Sequence, residues 1–304
     1  MKWSVETIAG MEPSTLRKQI PEWLADHVEL EPDHVARMCQ RVAAELAEFD
    51  DAMVKAALLD YGEVGNEYRI YPANVVARRI ARRFFAEVTL DREISGVENL
   101  VAARARGPVL LLSNHVSYVD SQFTDLLLAD ADAPGRGLAD AMVFVAGPKV
   151  YLHPLRRMAA MGLSTLPTAQ SSRLDHNRAD LSPRDIARIA IETVRRTRAL
   201  AREGAMIVLY GEGGRSRTGR LEPFLRAVGR YPEPGAQLVP LALSGTGQAF
   251  PLHGRQFRAA PIRLAIGEAV EGDDPVLALE KAWHHLAELL PSSQQPPSGT
   301  APTR

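Results

Sequence analysis

Short, almost wholly apolar segments that alternate with helix-length ones are the feature that most limits how this chain can fold. They begin near residues 95–100 and include VLLLS at 109–113, AMVFVAG at 141–147, AMIVLY at 205–210 and LVPLALSG at 238–245. Apolar runs of this length are typical of strands that are buried on both faces by flanking helices. We therefore predict an α/β domain with a mostly parallel mixed sheet flanked by helices.

The rest of the chain divides around this domain. Further strands are predicted at 163–168 and 261–270, and helices near 119–129, 154–161, 183–203 and 275–290. Earlier in the chain, apolar residues at helical spacing (Val35, Met38, Val42, Leu46 and Phe49) and the segment 74–88 predict helices. We predict a small helical N-terminal domain over 1–92, the α/β domain over 93–290 and a disordered tail, rich in proline and serine, over 291–304.

Composition excludes several classes of function. The 304 residues carry a formal net charge of −1, which argues against a nucleic-acid partner bound through overall positive charge. Cys39 is the single cysteine, so neither an internal disulfide nor a thiolate metal site is expected. The chain shows no signal-peptide core and no apolar run long enough to span a membrane. We expect a cytoplasmic protein whose membrane contact is peripheral, at the inner face.

Polar residues gather where the strand 109–113 meets the following helix. His115 and Asp120 are five positions apart, which separates them by about 140° on a helix and places them on opposite faces of a strand. They can meet only if the backbone bends between them, and strand ends of α/β sheets offer such bends. The carboxylate would then orient the imidazole for general-base catalysis. The alternative is a capping cluster in which Asn114 or Ser117 satisfies the first amides of the helix.

A second cluster follows the strand 205–210. The segment GEGGRSRTGR at 211–220 combines Glu212 with glycines and with Arg215, Arg217 and Arg220. Glycines allow close backbone approach and guanidinium groups bind phosphate in a bidentate manner, so an anionic phosphate ligand is one interpretation. The other is a solvated basic loop. The Gly-Lys-Ser/Thr ending of a P-loop is absent, and so is the Gly-x-Ser-x-Gly pattern of serine hydrolases.

The segment between these clusters is also basic. Candidate anion contacts there are Lys149, His153, Arg156, Arg157 and Arg173, although basic residues on a connecting helix are usually solvated. Arginines 184, 188, 195, 198 and 202 form one stripe on the helix predicted at 183–203. Such a stripe is by default a solvated face, and it could also rest on anionic lipid headgroups.

Taken in order, these blocks resemble the glycerolphosphate acyltransferase family, the H-x4-D acyltransferases. NHVSYVD, GPKVYLHPLRRMAAMG, GEGGRSR and VPLALSG resemble four family blocks over about residues 96–270, and the match looks closest to glycerol-3-phosphate acyltransferases. The resemblance implies that His115 is the base and Asp120 its orienting partner. It assigns the acceptor phosphate to Arg215 and Arg217 and a pocket-shaping role to Glu212 and Gly213. Lys149 and Arg173, in the loosely matched middle segment, are further candidates for phosphate binding. Gly211 and Gly214 depart from the proline and threonine that are frequent in the family.

The function that this resemblance implies is acyl transfer in phospholipid biosynthesis. A fatty acyl group would pass from acyl-CoA or acyl carrier protein to the hydroxyl of glycerol-3-phosphate, directly and without a metal or redox cofactor. Acylation of 1-acylglycerol-3-phosphate or another lysophospholipid is the alternative and uses the same residues. A non-catalytic lipid-binding or acyl-carrier-binding module is a third possibility. A hydrolase is the least supported.

Overall fold

The computed structural model describes residues 4–131, 133–169, 181–271 and 274–304. It confirms the α/β class, with strands interleaved with helices along the chain. The strands are β1 Val28–Glu29, β2 Thr89–Ser95, β3 Val109–Ser113, β4 Met142–Ala146, β5 Thr165–Pro167, β6 Met206–Tyr210, β7 Gln237–Ser244, β8 Phe257–Arg258 and β9 Ala260–Ile266.

The helices cover both faces of the sheet and most of the N-terminal part. They are α1 Val5–Ala9, α2 Pro13–Ala25, α3 Pro32–Ala47, α4 Asp51–Glu63, α5 Val75–Glu87, α6 Val97–Arg106, α7 Asp120–Ala131, α8 Ala133–Ala141, α9 Pro154–Met161, α10 Pro183–Arg202, α11 Thr246–Ala249 and α12 Pro275–Leu289. None of the helices in the described ranges combines the length and the apolar composition that a membrane crossing requires.

Seven strands form the main sheet in the order β2-β9-β7-β3-β6-β4-β5. Neighbouring strands run parallel except β7 and β9, which are antiparallel, so the predicted mostly parallel mixed sheet is confirmed. Strands β1 and β8 form a separate parallel pair. The central position of β3, between β7 and β6, places its carboxyl end in the middle of one sheet edge.

Strand β3 is apolar at successive positions because both of its faces are covered. Val109 and Leu111 belong to a buried cluster that also contains side chains of α5 and α7. Leu110 and Leu112 belong to a second cluster, which includes Trp283 of α12. Side chains alternate between faces along a strand, so an uninterrupted apolar run is what burial on both faces requires.

The N-terminal helices complete the first of these clusters. Met38 and Val42 of α3 and Phe84 and Phe85 of α5 are buried in the same cluster as Leu111. Strand β2 contains residues from both sides of the predicted boundary at 92/93 and pairs with β9. The helical part therefore packs directly against the sheet, and the division of the chain into two domains stays a prediction.

The tail over 291–304, predicted to be disordered, makes backbone hydrogen bonds with a neighbouring loop in the structure. The backbone N–H of Leu221 donates to the carbonyl oxygen of Gln294 at 2.8 Å, and that of Phe224 donates to Pro302 at 2.9 Å. The N–H of Arg304 donates in turn to the carbonyl of Phe224 at 2.8 Å. The proline-rich composition suggested disorder because such a segment has little apolar surface to bury, but here a neighbouring loop satisfies its backbone groups.

Candidate active site

The site begins with the alignment of two parallel strands. Ser113, the last residue of β3, is the register partner of Tyr210, the last residue of β6. His115 and Glu212 each follow two positions later, so the two polar blocks emerge side by side at the carboxyl edge of the sheet. A hydrogen bond joins them directly: the backbone N–H of His115 donates to Oε1 of Glu212 at 2.7 Å.

The backbone bends between β3 and α7 and brings His115 to Asp120, as the spacing required. Nδ1 of His115 lies 2.7 Å from Oδ2 of Asp120, and the same oxygen accepts the backbone N–H groups of Val116 at 2.9 Å and Ser117 at 3.0 Å. Asp120 is the first residue of α7 and is 1% exposed. The carboxylate therefore fixes both the turn and the imidazole.

Asn114 and Ser117, the residues named in the capping alternative, bind other parts of the chain through their side chains. Asn114 accepts the backbone N–H of Leu243 on β7 and donates to its carbonyl, both at 2.9 Å. The Ser117 hydroxyl donates to the carbonyl of Phe250 at 2.9 Å. These side chains tie the turn to the next parts of the chain, while Asp120 satisfies the amides.

Tyr210 also contacts the imidazole of His115. Its ring stacks on that of His115, with centroids 4.2 Å apart and planes inclined by 21°. Its hydroxyl lies 2.8 Å from the hydroxyl of Ser121 on α7. Burial raises the pKa of Tyr210 well above its ordinary value, so the ring is a neutral platform. His115 itself is 17% exposed and faces a cleft.

Glu212 lies behind the cleft wall and is not among the residues that line the cleft. It is 1% exposed, and besides the amide of His115 it accepts the backbone N–H of Glu222 at 3.2 Å through Oε2. Burial raises the pKa of Glu212 to about 8, although these two N–H donors act in the opposite direction. The residue is placed to hold the two blocks together.

The glycines of the second block allow its loop to pack closely. Gly213 has a φ of +69°, and a Cβ there would lie 2.3 Å from Cδ1 of Leu225. A Cβ at Gly211 would lie 2.5 Å from the ring of Phe224, so the departure from the family's proline has a local steric reason. Gly213 lines the cleft together with Arg215 and Arg217.

The cleft is a cavity of about 560 Å³ whose wall carries His115 and several cations. The cationic side chains are Lys149, Arg156, Arg215 and Arg217. Among the residues that the structure describes, none of these four forms an ion pair with a carboxylate. Burial lowers the pKa of Arg215, but an arginine remains charged at neutral pH. Unpaired charges of one sign in a cleft favour an anionic ligand.

An apolar cavity of about 330 Å³ adjoins the cleft. Its wall includes Ile80, Phe84 and Phe85 of α5, with Phe250 and Phe257 from the C-terminal part. His153, one of the predicted anion contacts, lies in this wall, and burial lowers its pKa. The two cavities share Tyr118, Arg156 and Leu252, so they meet along one seam.

The remaining predicted contacts lie elsewhere. The Arg157 guanidinium is buried and donates to the carbonyl oxygens of Tyr61, Tyr151 and Gly62, so it has a structural role. Arg173 lies outside the described residues. The predicted arginine stripe on α10 is largely engaged with the protein: Arg188 pairs with Asp185, Arg195 with Glu192 and Arg202 with Glu233, and Arg198 donates to the carbonyl of Arg230.

The sequence of the chain matches a known protein family over the region that contains the site. Residues 91–244, half of the chain, match the sequence model of the family described as Acyltransferase. This range runs from β2 through β7 and includes both polar blocks. The chain belongs to the acyltransferase family, and the resemblance to the glycerolphosphate acyltransferases is confirmed.

The relatives share a substrate in their names. The chain is 25% identical over 200 residues to the chloroplastic 1-acyl-sn-glycerol-3-phosphate acyltransferase BAT2 of Brassica napus, covering 65% of this chain and 50% of the relative. It is 30% identical over 130 residues to the 1-acyl-sn-glycerol-3-phosphate acyltransferase of Cocos nucifera, covering 40% of this chain and 41% of that protein. The chain thus spans half or less of the length of these relatives. A solved structure, the 1-acyl-sn-glycerophosphate acyltransferase PlsC of Thermotoga maritima, aligns with 94% of this chain and 97% of its own at 12% identity and a TM-score of 0.44.

Proposed function

We propose that this protein is an O-acyltransferase that moves a fatty acyl group from a thioester to the free hydroxyl of 1-acylglycerol-3-phosphate. The observation that carries the proposal is one cleft that holds both an oriented imidazole, His115, and four cations without carboxylate partners among the described residues. The names of the relatives support this acceptor.

His115 acts as the general base. Oδ2 of Asp120 already accepts two backbone N–H groups, and a carboxylate oxygen can only accept. Nδ1 of His115 therefore carries its proton toward Asp120, which leaves the lone pair of Nε2 for the substrate hydroxyl. The Asp120 charge also stabilises the imidazolium that forms during transfer. Such a base contributes about 10²- to 10⁴-fold to the rate.

The cations orient the acceptor. A phosphate bound by Arg215, with Arg217 and Lys149 on the same wall, holds the glycerol hydroxyl close to His115. We extend the same role to Arg173 as a proposal from the resemblance. Holding the two reactants in a productive geometry supplies several kcal/mol of the barrier reduction.

The reaction balances without an acyl-enzyme. The acceptor hydroxyl oxygen bonds to the thioester carbonyl carbon as its proton passes to Nε2 of His115. The C–S bond of the tetrahedral intermediate then breaks, and the thiolate takes the proton from the imidazolium to leave as a thiol. The ester is the second product. No metal and no redox cofactor takes part in these steps.

Two further features are proposed on the same basis. The donor is acyl-CoA or acyl carrier protein, whose apolar chain fits the adjoining apolar cavity. A lysophospholipid acceptor resides in a membrane, so the protein would make peripheral contact with an anionic membrane surface. Glycerol-3-phosphate, the acceptor that the sequence favoured, stays a prediction.

A product assay tests the proposal. The protein is incubated with a labelled acyl thioester and, separately, with 1-acylglycerol-3-phosphate, glycerol-3-phosphate and monoacylglycerol, which lacks phosphate. We expect thiol release and labelled phosphatidic acid with the first acceptor, and little product with monoacylglycerol. Product only from glycerol-3-phosphate would restore the first expectation. Free fatty acid as the product would identify a hydrolase, and no thiol release would leave a binding module.

A further inference from the structure

We propose that Arg156 and Arg215 form a paired phosphate subsite that the ring of Tyr118 positions at the seam between the cleft and the apolar cavity. The inference rests on the proposed function and adds a binding residue, Arg156, and a positioning residue, Tyr118. Neither belongs to the H-x4-D pair or to the Arg-Ser-Arg block.

One aromatic ring carries both guanidinium groups. Cζ of Arg215 lies 3.5 Å from the centroid of the Tyr118 ring, and Cζ of Arg156 lies 4.2 Å from the same centroid. Tyr118 stands in the turn between His115 and Asp120, whereas Arg156 comes from α9 and Arg215 from the loop after β6. Three separate parts of the chain therefore converge on one ring.

An aromatic ring can hold an arginine without neutralising it. A carboxylate would fix the guanidinium equally well, but it would compete with an anionic ligand for the same N–H groups. Stacking uses the face of the guanidinium and leaves its N–H edges for other partners. Arg215 also donates from Nη1 to the carbonyl oxygen of Leu252 at 3.3 Å.

Other arginines nearby bind carboxylates or backbone carbonyl oxygens. Arg82 on α5 binds Asp125 through two hydrogen bonds of 2.7 and 2.9 Å, and Arg78 pairs with Asp125 at 3.2 Å. Arg157, the neighbour of Arg156, donates to backbone carbonyls. The positive charges of Arg156 and Arg215 repel each other, and neither forms an ion pair with a carboxylate among the described residues. Their closeness therefore has a cost in free energy. A bound dianion such as a phosphate monoester removes that cost.

The position of the subsite selects an amphiphile. Tyr118 and Arg156 line both cavities, so a phosphate between the guanidiniums would lie beside the entrance to the apolar cavity. A ligand with a phosphate and a fatty chain would occupy both. The phosphate could belong to the acceptor lipid or to the coenzyme part of the donor, and the experiment separates these two sources.

The first test compares Arg156→Gln with Arg188→Gln, which removes the same charge from an exposed position on α10. Steady-state kinetics use acyl-CoA or a phosphate-free acyl N-acetylcysteamine thioester as donor, and 1-acylglycerol-3-phosphate or monoacylglycerol as acceptor. Loss of a charge-assisted hydrogen bond predicts a KM about 10- to 100-fold higher for the phosphate-bearing substrate that Arg156 contacts. The KM of the phosphate-free counterpart and kcat should change less than threefold.

The second test addresses Tyr118. Tyr118→Leu should raise the same KM as Arg156→Gln, because both guanidiniums lose their platform, whereas Tyr118→Phe keeps the ring and should restore most of the affinity. If Tyr118 had a purely structural role, both variants would have a lower Tm, and their KM values would not differ from each other. Equal KM changes in the Leu and Phe variants would overturn the positioning role.

A binding measurement keeps this inference apart from the proposed reaction. Calorimetric titration with 1-acylglycerol-3-phosphate in the absence of a donor, and with coenzyme A in the absence of an acceptor, requires no turnover. A wild-type protein that binds one of them, and an Arg156→Gln variant that binds it at least tenfold more weakly, would support the subsite even if no product forms. Unchanged affinity for both ligands in Arg156→Gln would overturn it, whatever the activity.

Discussion

Replacing Asp120 by asparagine changes one charge and almost no volume at the centre of the site. Three hydrogen bonds end on Oδ2, at 2.7 Å from Nδ1 of His115 and at 2.9 and 3.0 Å from two backbone amides. If the asparagine oxygen takes the place of Oδ2, it still accepts the two amides, and the NH₂ group then takes the place of Oδ1, which is buried and has no hydrogen-bond partner among the described residues. If the NH₂ group takes the place of Oδ2, the two amides lose their acceptor and the tautomer of the imidazole is reversed.

The size of the effect follows from this burial. Removing one charge from a buried, hydrogen-bonded pair costs about 3–5 kcal/mol. If that loss falls on the imidazolium of the transition state, kcat drops by about 10²- to 10⁴-fold. The buried NH₂ group without an acceptor should lower the free energy of unfolding by about 1–3 kcal/mol.

Two assays check these values. Thiol release under saturating acceptor gives kcat, and urea denaturation followed by circular dichroism gives the free energy of unfolding. Asp185→Asn on the exposed start of α10 is a matched control and should leave kcat unchanged. A folded Asp120→Asn protein with kcat within a few-fold of wild type would refute the role of the carboxylate.

Four more predictions concern the surrounding parts. His115→Ala should abolish turnover and leave acceptor binding within about threefold in calorimetry, since the phosphate contacts remain; near-normal rates would show that another base acts. Arg215→Ala should raise the acceptor KM by about 10- to 100-fold in steady-state kinetics, and an unchanged KM would remove its phosphate role. Glu212 keeps its proton up to a pKa of about 8 in the folded protein, against 4.5 ordinarily, so between these pH values the free energy of unfolding should fall as pH rises. The contribution of Glu212 to this fall should approach about 1.4 kcal/mol per pH unit in urea titrations, and Glu212→Gln should remove that contribution; an identical slope in both proteins would contradict the assignment. Deleting residues 300–304 removes the bonds to Phe224 and the hydrogen bond from Arg304 to the Glu212 carbonyl, which is 3.1 Å long; calorimetry should show a loss of about 1–3 kcal/mol, and an unchanged Tm would mean that the segment does not hold the loop.

The strand that carries the site could be predicted closely. VLLLS was expected at 109–113, and β3 spans Val109–Ser113. A run of five apolar residues is short for a helix and is typical of a strand that is covered on both faces. The long helix was equally clear: 183–203 was expected, and α10 spans Pro183–Arg202 with a capping box between Ser182 and Asp185.

Other elements were not predicted because their composition is atypical of a strand or a helix. Strand β2, TLDREIS, pairs only with β9 at the edge of the sheet, so most of its side chains face solvent and the apolar signal is missing. Helix α8, APGRGLADA, contains a proline and two glycines. The tail over 291–304 was expected to be disordered from its prolines and serines, although its backbone pairs with the loop at 221–226.

The site, like the fold, could be predicted only in part. The spacing of His115 and Asp120 at a strand end showed that the two side chains can meet only across a bent backbone, and it left a capping cluster open as the alternative. The position of Glu212 behind the cleft, and the shared ring of Tyr118 under Arg156 and Arg215, depend on which loops meet in three dimensions. Residue type alone could nominate Arg156 and Arg215 as anion contacts, and it could not separate Arg156 from its structural neighbour Arg157.

A structure of the protein bound to 1-acylglycerol-3-phosphate without a donor would test the central claim most directly. It should show the phosphate within hydrogen-bond distance of the Arg215 guanidinium and the free hydroxyl oxygen about 2.6–3.2 Å from Nε2 of His115. A phosphate bound outside this cleft, or a hydroxyl that reaches the arginines while His115 faces away from it, would contradict the account.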